Sequence, residues 1–213
     1  MWNLFKYMSM FFFARRILKI MGFLGFGLLG AGAFMGFPQV KDALAKPFQS
    51  SSHQAAAVSN QSGSITVGFS PGNAERMVID LVNESRVTLD IAAYEFTNKG
   101  IAEAVRAAHQ RGVKVRIVMD QERLNGKYNA GTFLANNHVP MHASSTRYKI
   151  MHQKIMLVDS TTTLTGSFNF TSAAARSNAE NVLILRNSPQ VTAIYAAEFQ
   201  RLWDEGTAVG AKY

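Results

Sequence analysis

The chain lacks cysteine altogether, which excludes a disulfide framework and any thiolate metal site. Its five histidines never take a ligand spacing such as H-E-x-x-H, and its carboxylates are not clustered, so neither a metal nor another cofactor is implied. Acidic residues are in short supply. The 14 Asp and Glu against 22 Lys and Arg leave a net charge of +8, which suits a polyanionic partner. Half of that excess lies in residues 1–45, with five Lys/Arg and one Asp, so the remainder is only mildly basic. No segment repeats, and no amphipathic membrane helix is visible after Ser64.

What is present divides into regions, and 213 residues suffice for one domain with a sizeable core plus an appendage. In residues 1–45, Lys6, Arg15, Arg16 and Lys19 precede an uncharged apolar run from Ile20 to Phe37. A cationic flank followed by an apolar run is the plan of a secretory signal. Ala31-Gly32-Ala33 and Ala43-Leu44-Ala45 both have the small-x-small form of a cleavage site. The expectation is a cleaved signal and an exported, periplasmic protein. The alternative is a retained segment anchoring the chain to a membrane through residues 20–37, because 18 residues reach the length of a span. Six glycines in the run lower its hydrophobicity and favour the signal. Arg15-Arg16 fits twin-arginine export only loosely. Residues 46–63, rich in Ser, Gln, Asn and Ala, read as a flexible linker, and residues 208–213 as a tail.

Residues 64–207 alternate between strand and helix patterns. Strands are expected at Ile65–Phe69, Val87–Tyr94, Val113–Met119, Val139–His142, Lys154–Val158, Thr162–Thr165 and Val182–Leu185. Ser70-Pro71 reads as an N-cap and first helical residue before a face of Ala74, Met77, Val78, Leu81 and Val82. A second helix carries Ile101, Ala104, Val105 and Ala108 and stops at Gly112. A short helix is expected near Thr132–Asn136. Ser188-Pro189 opens the last one, with Val191, Ile194, Tyr195, Phe199 and Leu202 as its buried face. The alternation predicts an α/β domain with helices on both faces of a sheet.

The chemistry-bearing stretch is His152-Gln153-Lys154-Ile155-Met156-Leu157-Val158-Asp159, followed by Gly166-Ser167-Phe168-Asn169-Phe170. On an extended chain His152 and Lys154 point to the same side. If the strands on either side of Asp159 pair, Ser167 and Asn169 emerge at the same end. An imidazole can attack phosphorus, and an ammonium and an amide donor can hold the charge on the non-bridging oxygens. Asp159 reads first as a structural residue at the turn into Ser160-Thr161, with a catalytic role as the alternative.

This H-x-K-x4-D stretch and the Gly-Ser-x-Asn turn closely resemble the phospholipase D superfamily, and within it the small bacterial endonucleases that carry one such motif per chain and act as homodimers. The resemblance runs from about Ser64 to about Gly206. It includes Val67-Gly68-Phe69-Ser70-Pro71, Ala93-Tyr94-Glu95-Phe96-Thr97, Phe170-Thr171 and Asn178-Ala179-Glu180-Asn181. It implies a mixed sheet, with His152, Lys154, Ser167, Asn169 and Glu180 as active-site residues and Glu180 orienting the imidazole. It also implies a phosphohistidine on His152, and a composite active site in a twofold dimer, since one motif supplies only one of two needed histidines. The expected activity is metal-independent, non-specific cleavage of DNA, extending to RNA. The alternative is a phospholipase D or cardiolipin hydrolase acting on lipid headgroups. Arg123, Lys127, Arg147 and Lys149 are candidates for lining the approach of a nucleic acid, and Tyr148 for stacking on a base. A nuclease predicts a basic groove at the site, a lipase an apolar rim.

Overall fold

The computed structural model describes residues 63–126 and 129–211. The signal segment, the linker up to Ser62 and Lys127 lie outside the described residues. The strands are β1 (Ser64–Ser70), β2 (Thr88–Ala93), β3 (Lys114–Met119), β4 (Met141–Ala143), β5 (Lys154–Val158), β6 (Thr162–Gly166), β7 (Glu180–Arg186) and β8 (Thr207–Ala208). They form one sheet in the order β1-β7-β6-β5-β2-β3-β4-β8. The β2–β3 and β3–β4 pairs are parallel and the others antiparallel, so the sheet is mixed, as the resemblance implies. The helices are α1 (Ala74–Glu84), α2 (Lys99–Gln110), α3 (Gln121–Leu124), α4 (Ala130–Asn136), α5 (Ser172–Arg176) and α6 (Pro189–Glu205). Among these described helices none is long and apolar enough to cross a membrane.

The core has two layers. Met156 and Val158 of β5 pack with Val78 and Leu81 of α1, Ile101 and Val105 of α2, Leu134 of α4 and Ala174 of α5. Ile155 and Leu157 face the other way, towards Phe199 and Leu202 of α6. All five residues of β5 are buried, which is why this strand reads as an unbroken apolar run and not as an alternation. Helix α2 begins where the Asn98 side chain accepts the Ile101 N–H at 3.1 Å. It ends before Gly112, whose φ of +89° only glycine adopts freely.

Four features depart from the pattern expected from sequence. Ser70 stays in β1, opposite Glu180, so a turn through Pro71–Asn73 intervenes and α1 starts at Ala74. In α6, Ile194 is exposed and Thr192 is buried instead, its hydroxyl 3.0 Å from that of Thr163. Phe199 and Leu202 set the phase of that helix, and Thr192, two turns before Phe199, falls underneath. Short α3 and α5 have too few residues for an apolar period. Their caps define them: Asp120 accepts from the Arg123 N–H, and Thr171 from the Ala174 N–H. At the chain's end Ala208 pairs with His142 and the Val209 N–H reaches the Met141 carbonyl, so the sheet extends into the expected tail.

Candidate active site

The sheet gathers the motif at one end. Because β5 and β6 are antiparallel, with Met156 opposite Leu164, the residues just before β5 meet those just after β6. β2 and β3 finish at this end, and β7 begins here with Glu180.

The exposed His152 lies on the loop entering β5. Its ring rests against Tyr94, with centroids 4.5 Å apart and planes tilted by 56°. Among the described residues the imidazole makes no hydrogen bond, so both ring nitrogens are open to substrate. The loop itself is held on every side. The buried Asp120 carboxylate accepts the Met151 N–H at 2.8 Å, and the Gln153 carbonyl accepts the Tyr94 N–H at 2.9 Å. Gln153 Nε2 donates to Glu198 at 3.1 Å. Tyr148 Oη donates to Glu205 and accepts from Arg201, both on α6.

Lys154 is only 7% exposed. Its Nζ donates to the His152 carbonyl at 2.9 Å and sits 5.1 Å from the centre of the Tyr94 ring. Burial lowers its pKa from the usual lysine value, opposed in part by the charges of Glu180 and Glu95.

Asn169 is placed by its neighbours. Phe168 and Phe170 are fully buried, and the Phe170 ring meets Phe96 edge-on at 5.6 Å. The Phe170 carbonyl accepts the N–H groups of Thr97 and Asn98, both at 2.9 Å. The alternation leaves Asn169 between two anchors, its amide oxygen buried and without a hydrogen-bond partner among the described residues. The turn that delivers this segment requires Gly166. Its φ is +153°, and a Cβ there would lie 2.3 Å from the Asn181 carbonyl oxygen.

Ser167 Oγ donates to Glu180 Oε2 at 2.5 Å and accepts the Asn181 N–H at 3.0 Å. Asn178 Nδ2 donates to the other Glu180 oxygen at 3.0 Å. The hydrogen bonds of Glu180 therefore go to Ser167 and Asn178, while its charge acts on Lys154. Asp159 takes no part at this end. It occupies the β5–β6 turn with φ +50° and accepts the N–H groups of Arg86, Val87 and Thr88 at 2.8–3.2 Å. Burial raises its pKa, but these donors and the Arg86 charge outweigh that and hold it below the usual range.

The residues proposed to line the approach divide. Arg123 packs its guanidinium 4.9 Å over the Tyr94 ring, bonds to Tyr94 Oη and pairs with Glu95 at 3.2 Å. It borders a cavity of about 360 Å³ lined by Tyr94, Asp120, Glu122, Arg123 and Ile150. Lys149 is exposed. Arg147 pairs with Glu205, and the Tyr148 hydroxyl is bound into the α6 network, so both serve the loop that carries His152. Sequence reasoning missed Tyr94, Glu95 and Asp120. Tyr94 and Glu95 stand in a segment that carries the resemblance, and Asp120 ends a central strand, where sites in α/β sheets collect.

An exposed imidazole, a buried ammonium and an amide thus converge on one rim, a set suited to attack on a phosphodiester. Comparison with known proteins points the same way. Residues 78–203 match the family model described as cardiolipin synthase, PLD-like domain. The chain is 34% identical over 131 residues to a mitochondrial cardiolipin hydrolase of Xenopus laevis, covering 61% of this chain and 60% of that protein. It is 31% identical over 117 residues to a phospholipase D of Rickettsia conorii, covering 55% and 58%. The match thus spans less than two thirds of either relative. Among solved structures, Nuc of Salmonella typhimurium, a phospholipase D family member, superposes with a TM-score of 0.68 at 33% identity. That match covers 70% of this chain and all of Nuc.

Proposed function

Since the chain belongs to the phospholipase D superfamily and is thus a phosphodiesterase, we propose that it is a metal-independent nuclease of low sequence preference, acting on DNA and also on RNA. The observation that carries this reading is the rim around His152. The imidazole is exposed and the cations Arg123 and Lys149 lie exposed near it in the fold or chain, although Arg123 is paired with Glu95 and the neighbouring cavity also carries the carboxylates of Asp120 and Glu122. The polarity of this rim and its two exposed cations suit a phosphodiester backbone better than an acyl chain, and a site that grips phosphate alone reads no base.

A ring nitrogen of His152 attacks phosphorus. The P–N bond forms as the P–O bond to the leaving group breaks, and His152 of a second copy gives its proton to the departing oxygen. That second imidazole then takes a proton from water, whose oxygen attacks phosphorus and breaks the P–N bond. Lys154 and the Asn169 amide hold the non-bridging oxygens through both steps. Tyr94 keeps the nucleophilic ring in place, and Glu180 keeps Lys154 charged.

A second reading, hydrolysis of a lipid phosphodiester such as cardiolipin, draws support from the names of the curated relatives and from Ile150, exposed at the cavity. One experiment separates the two. The full chain is incubated in excess EDTA with supercoiled plasmid and, in parallel, with phosphatidylcholine–cardiolipin vesicles. Plasmid cleavage that persists in EDTA and falls at least about 10³-fold in His152→Ala supports the nuclease. Headgroup release without cleavage of any nucleic acid replaces it with the lipase.

A further inference from the structure

The loop that carries His152 is joined to α3 by a closed circuit of contacts. Asp120 directly follows β3 and is 3% exposed, and both of its carboxylate oxygens are engaged. Oδ1 accepts the Arg123 N–H at 3.2 Å, which caps α3. Oδ2 accepts the N–H of Met151, the residue before His152, at 2.8 Å. The Arg123 side chain then reaches Tyr94: Nε and Nη2 donate to Tyr94 Oη at 2.9 and 2.5 Å, while Nη1 pairs with Glu95 at 3.2 Å. The Tyr94 ring lies against the His152 ring with centroids 4.5 Å apart. The Tyr94 N–H donates at 2.9 Å to the carbonyl of Gln153, the residue after His152. The circuit runs from Asp120 through Arg123, Tyr94 and His152 to Met151, and back to Asp120.

The parts of this circuit exceed what folding alone requires. An N-cap needs one side-chain oxygen, and Asp120 commits its second to a loop 31 residues along the chain. Helix α3 has four residues with only Leu124 buried, and the long side chain it sets in place is Arg123. The imidazole makes no hydrogen bond among the described residues, so its aim depends on the ring beside it and on the backbone to either side. We propose that Asp120 and Arg123 are positioning residues for the nucleophile. Asp120 fixes the backbone before His152, and Arg123 holds the Tyr94 ring on which the imidazole rests. This role is separate from the charge that Arg123 presents at the rim. It rests on His152 being the nucleophile and applies to either substrate. It also accounts for carboxylates beside a site that takes phosphate, since Asp120 and Glu95 are occupied in holding Met151 and Arg123.

The test is steady-state hydrolysis of bis(4-nitrophenyl) phosphate, a minimal phosphodiester with neither base nor acyl chain, by the full chain in mild detergent and excess EDTA. The variants are Asp120→Asn, Arg123→Lys, Arg123→Met, Tyr94→Phe, Arg123→Met combined with Tyr94→Phe, and His152→Ala as control. Circular dichroism and thermal melting check that each folds. Arg123 is exposed, so its variants carry the test should Asp120→Asn unfold. Lysine keeps the charge of Arg123 but lacks the fork that grips the hydroxyl. Arg123→Lys and Arg123→Met are therefore expected to lower kcat alike, by about three- to tenfold, with KM within about twofold of wild type. Because Arg123 acts through the Tyr94 hydroxyl, the double variant should fall no more than about twofold below the weaker single one. Asp120→Asn should lower kcat at least about tenfold at unchanged KM. Arg123→Lys at the wild-type rate, or losses that multiply in the double variant, overturn the assignment of Arg123. Asp120→Asn that melts earlier yet keeps the wild-type kcat reduces Asp120 to a helix cap and overturns its assignment. Hydrolysis by His152→Ala as fast as that by wild type overturns the nucleophile reading and the positioning role with it.

Discussion

Asp159 is the motif letter whose role the geometry defines most sharply, and replacing it tests whether the third position is structural. Its Oδ1 lies 2.8 Å from the Val87 nitrogen and 3.0 Å from that of Thr88, and its Oδ2 lies 3.0 Å from that of Arg86. Asp159→Asn fits the left-handed backbone and retains one carbonyl oxygen for Val87 and Thr88. Its amide NH2 then faces the Arg86 N–H, donor against donor. One charge-assisted hydrogen bond is lost, worth about 1.5–3 kcal/mol, and the exposure of Arg86 to water places the cost near the lower figure. A loss of about 2 kcal/mol lowers the melting temperature of a domain this size by roughly 4–8 °C. The linkage has a definite sign. The folded pKa of Asp159 lies below its unfolded value of about 3.9, so the stabilisation is fully present above that value and is lost as pH falls through the folded pKa. Urea denaturation at neutral pH should separate wild type from Asp159→Asn, and the gap should close in acid. Activity per folded molecule should stay within about threefold of wild type, since the carboxylate lies at the opposite end of β5 from His152. A loss of kcat beyond a hundredfold with unchanged stability would refute the reasoning and make Asp159 part of the chemistry.

Other expectations concern the rim itself. Lys154→Met should abolish activity yet stabilise the fold by about 0.5–2 kcal/mol in urea at neutral pH, because it removes a buried charge kept for function. With the folded pKa of Lys154 depressed, its destabilising effect is largest at neutral pH and fades as pH rises towards the unfolded value, so the two denaturation curves should converge in alkali. The alkaline limb of kcat/KM should fall below the ordinary lysine range. Glu180→Gln should move it lower still, since the Glu180 charge supports the ammonium, and a limb that stays put would dissociate Glu180 from Lys154. Tyr94→Phe keeps the ring against His152 and should cost less than about tenfold in kcat, whereas Tyr94→Ala removes the shelf and should cost about a hundredfold at similar KM. Equal losses in the two variants would shift the role of Tyr94 from its ring to its hydroxyl.

Local chemistry determined a good deal of this protein by itself. Lys154–Val158 reads as strand because five apolar or stem-bearing residues lie between turn signals. Helix α2 reads from its period and its Gly112 stop, and the motif letters announce a phosphodiesterase before any fold is known. These are properties of neighbours in sequence, where spacing translates directly into which side a residue faces. The tertiary structure decided what depends on partners far along the chain. It kept Ser70 in a strand because Glu180 pairs with it, and it turned Thr192 inward because Phe199 set the helix phase. It bound Tyr148 and Arg147 to Glu205 instead of leaving them to solvent. It brought Tyr94 against His152 across 58 residues of sequence, a separation read from the numbering alone. It also exposed the apolar side of β1, because α6 is too narrow to cover the whole sheet. A sequence records that Ile65, Val67 and Phe69 alternate, but which side of the sheet a helix leaves bare follows only from how the layers pack.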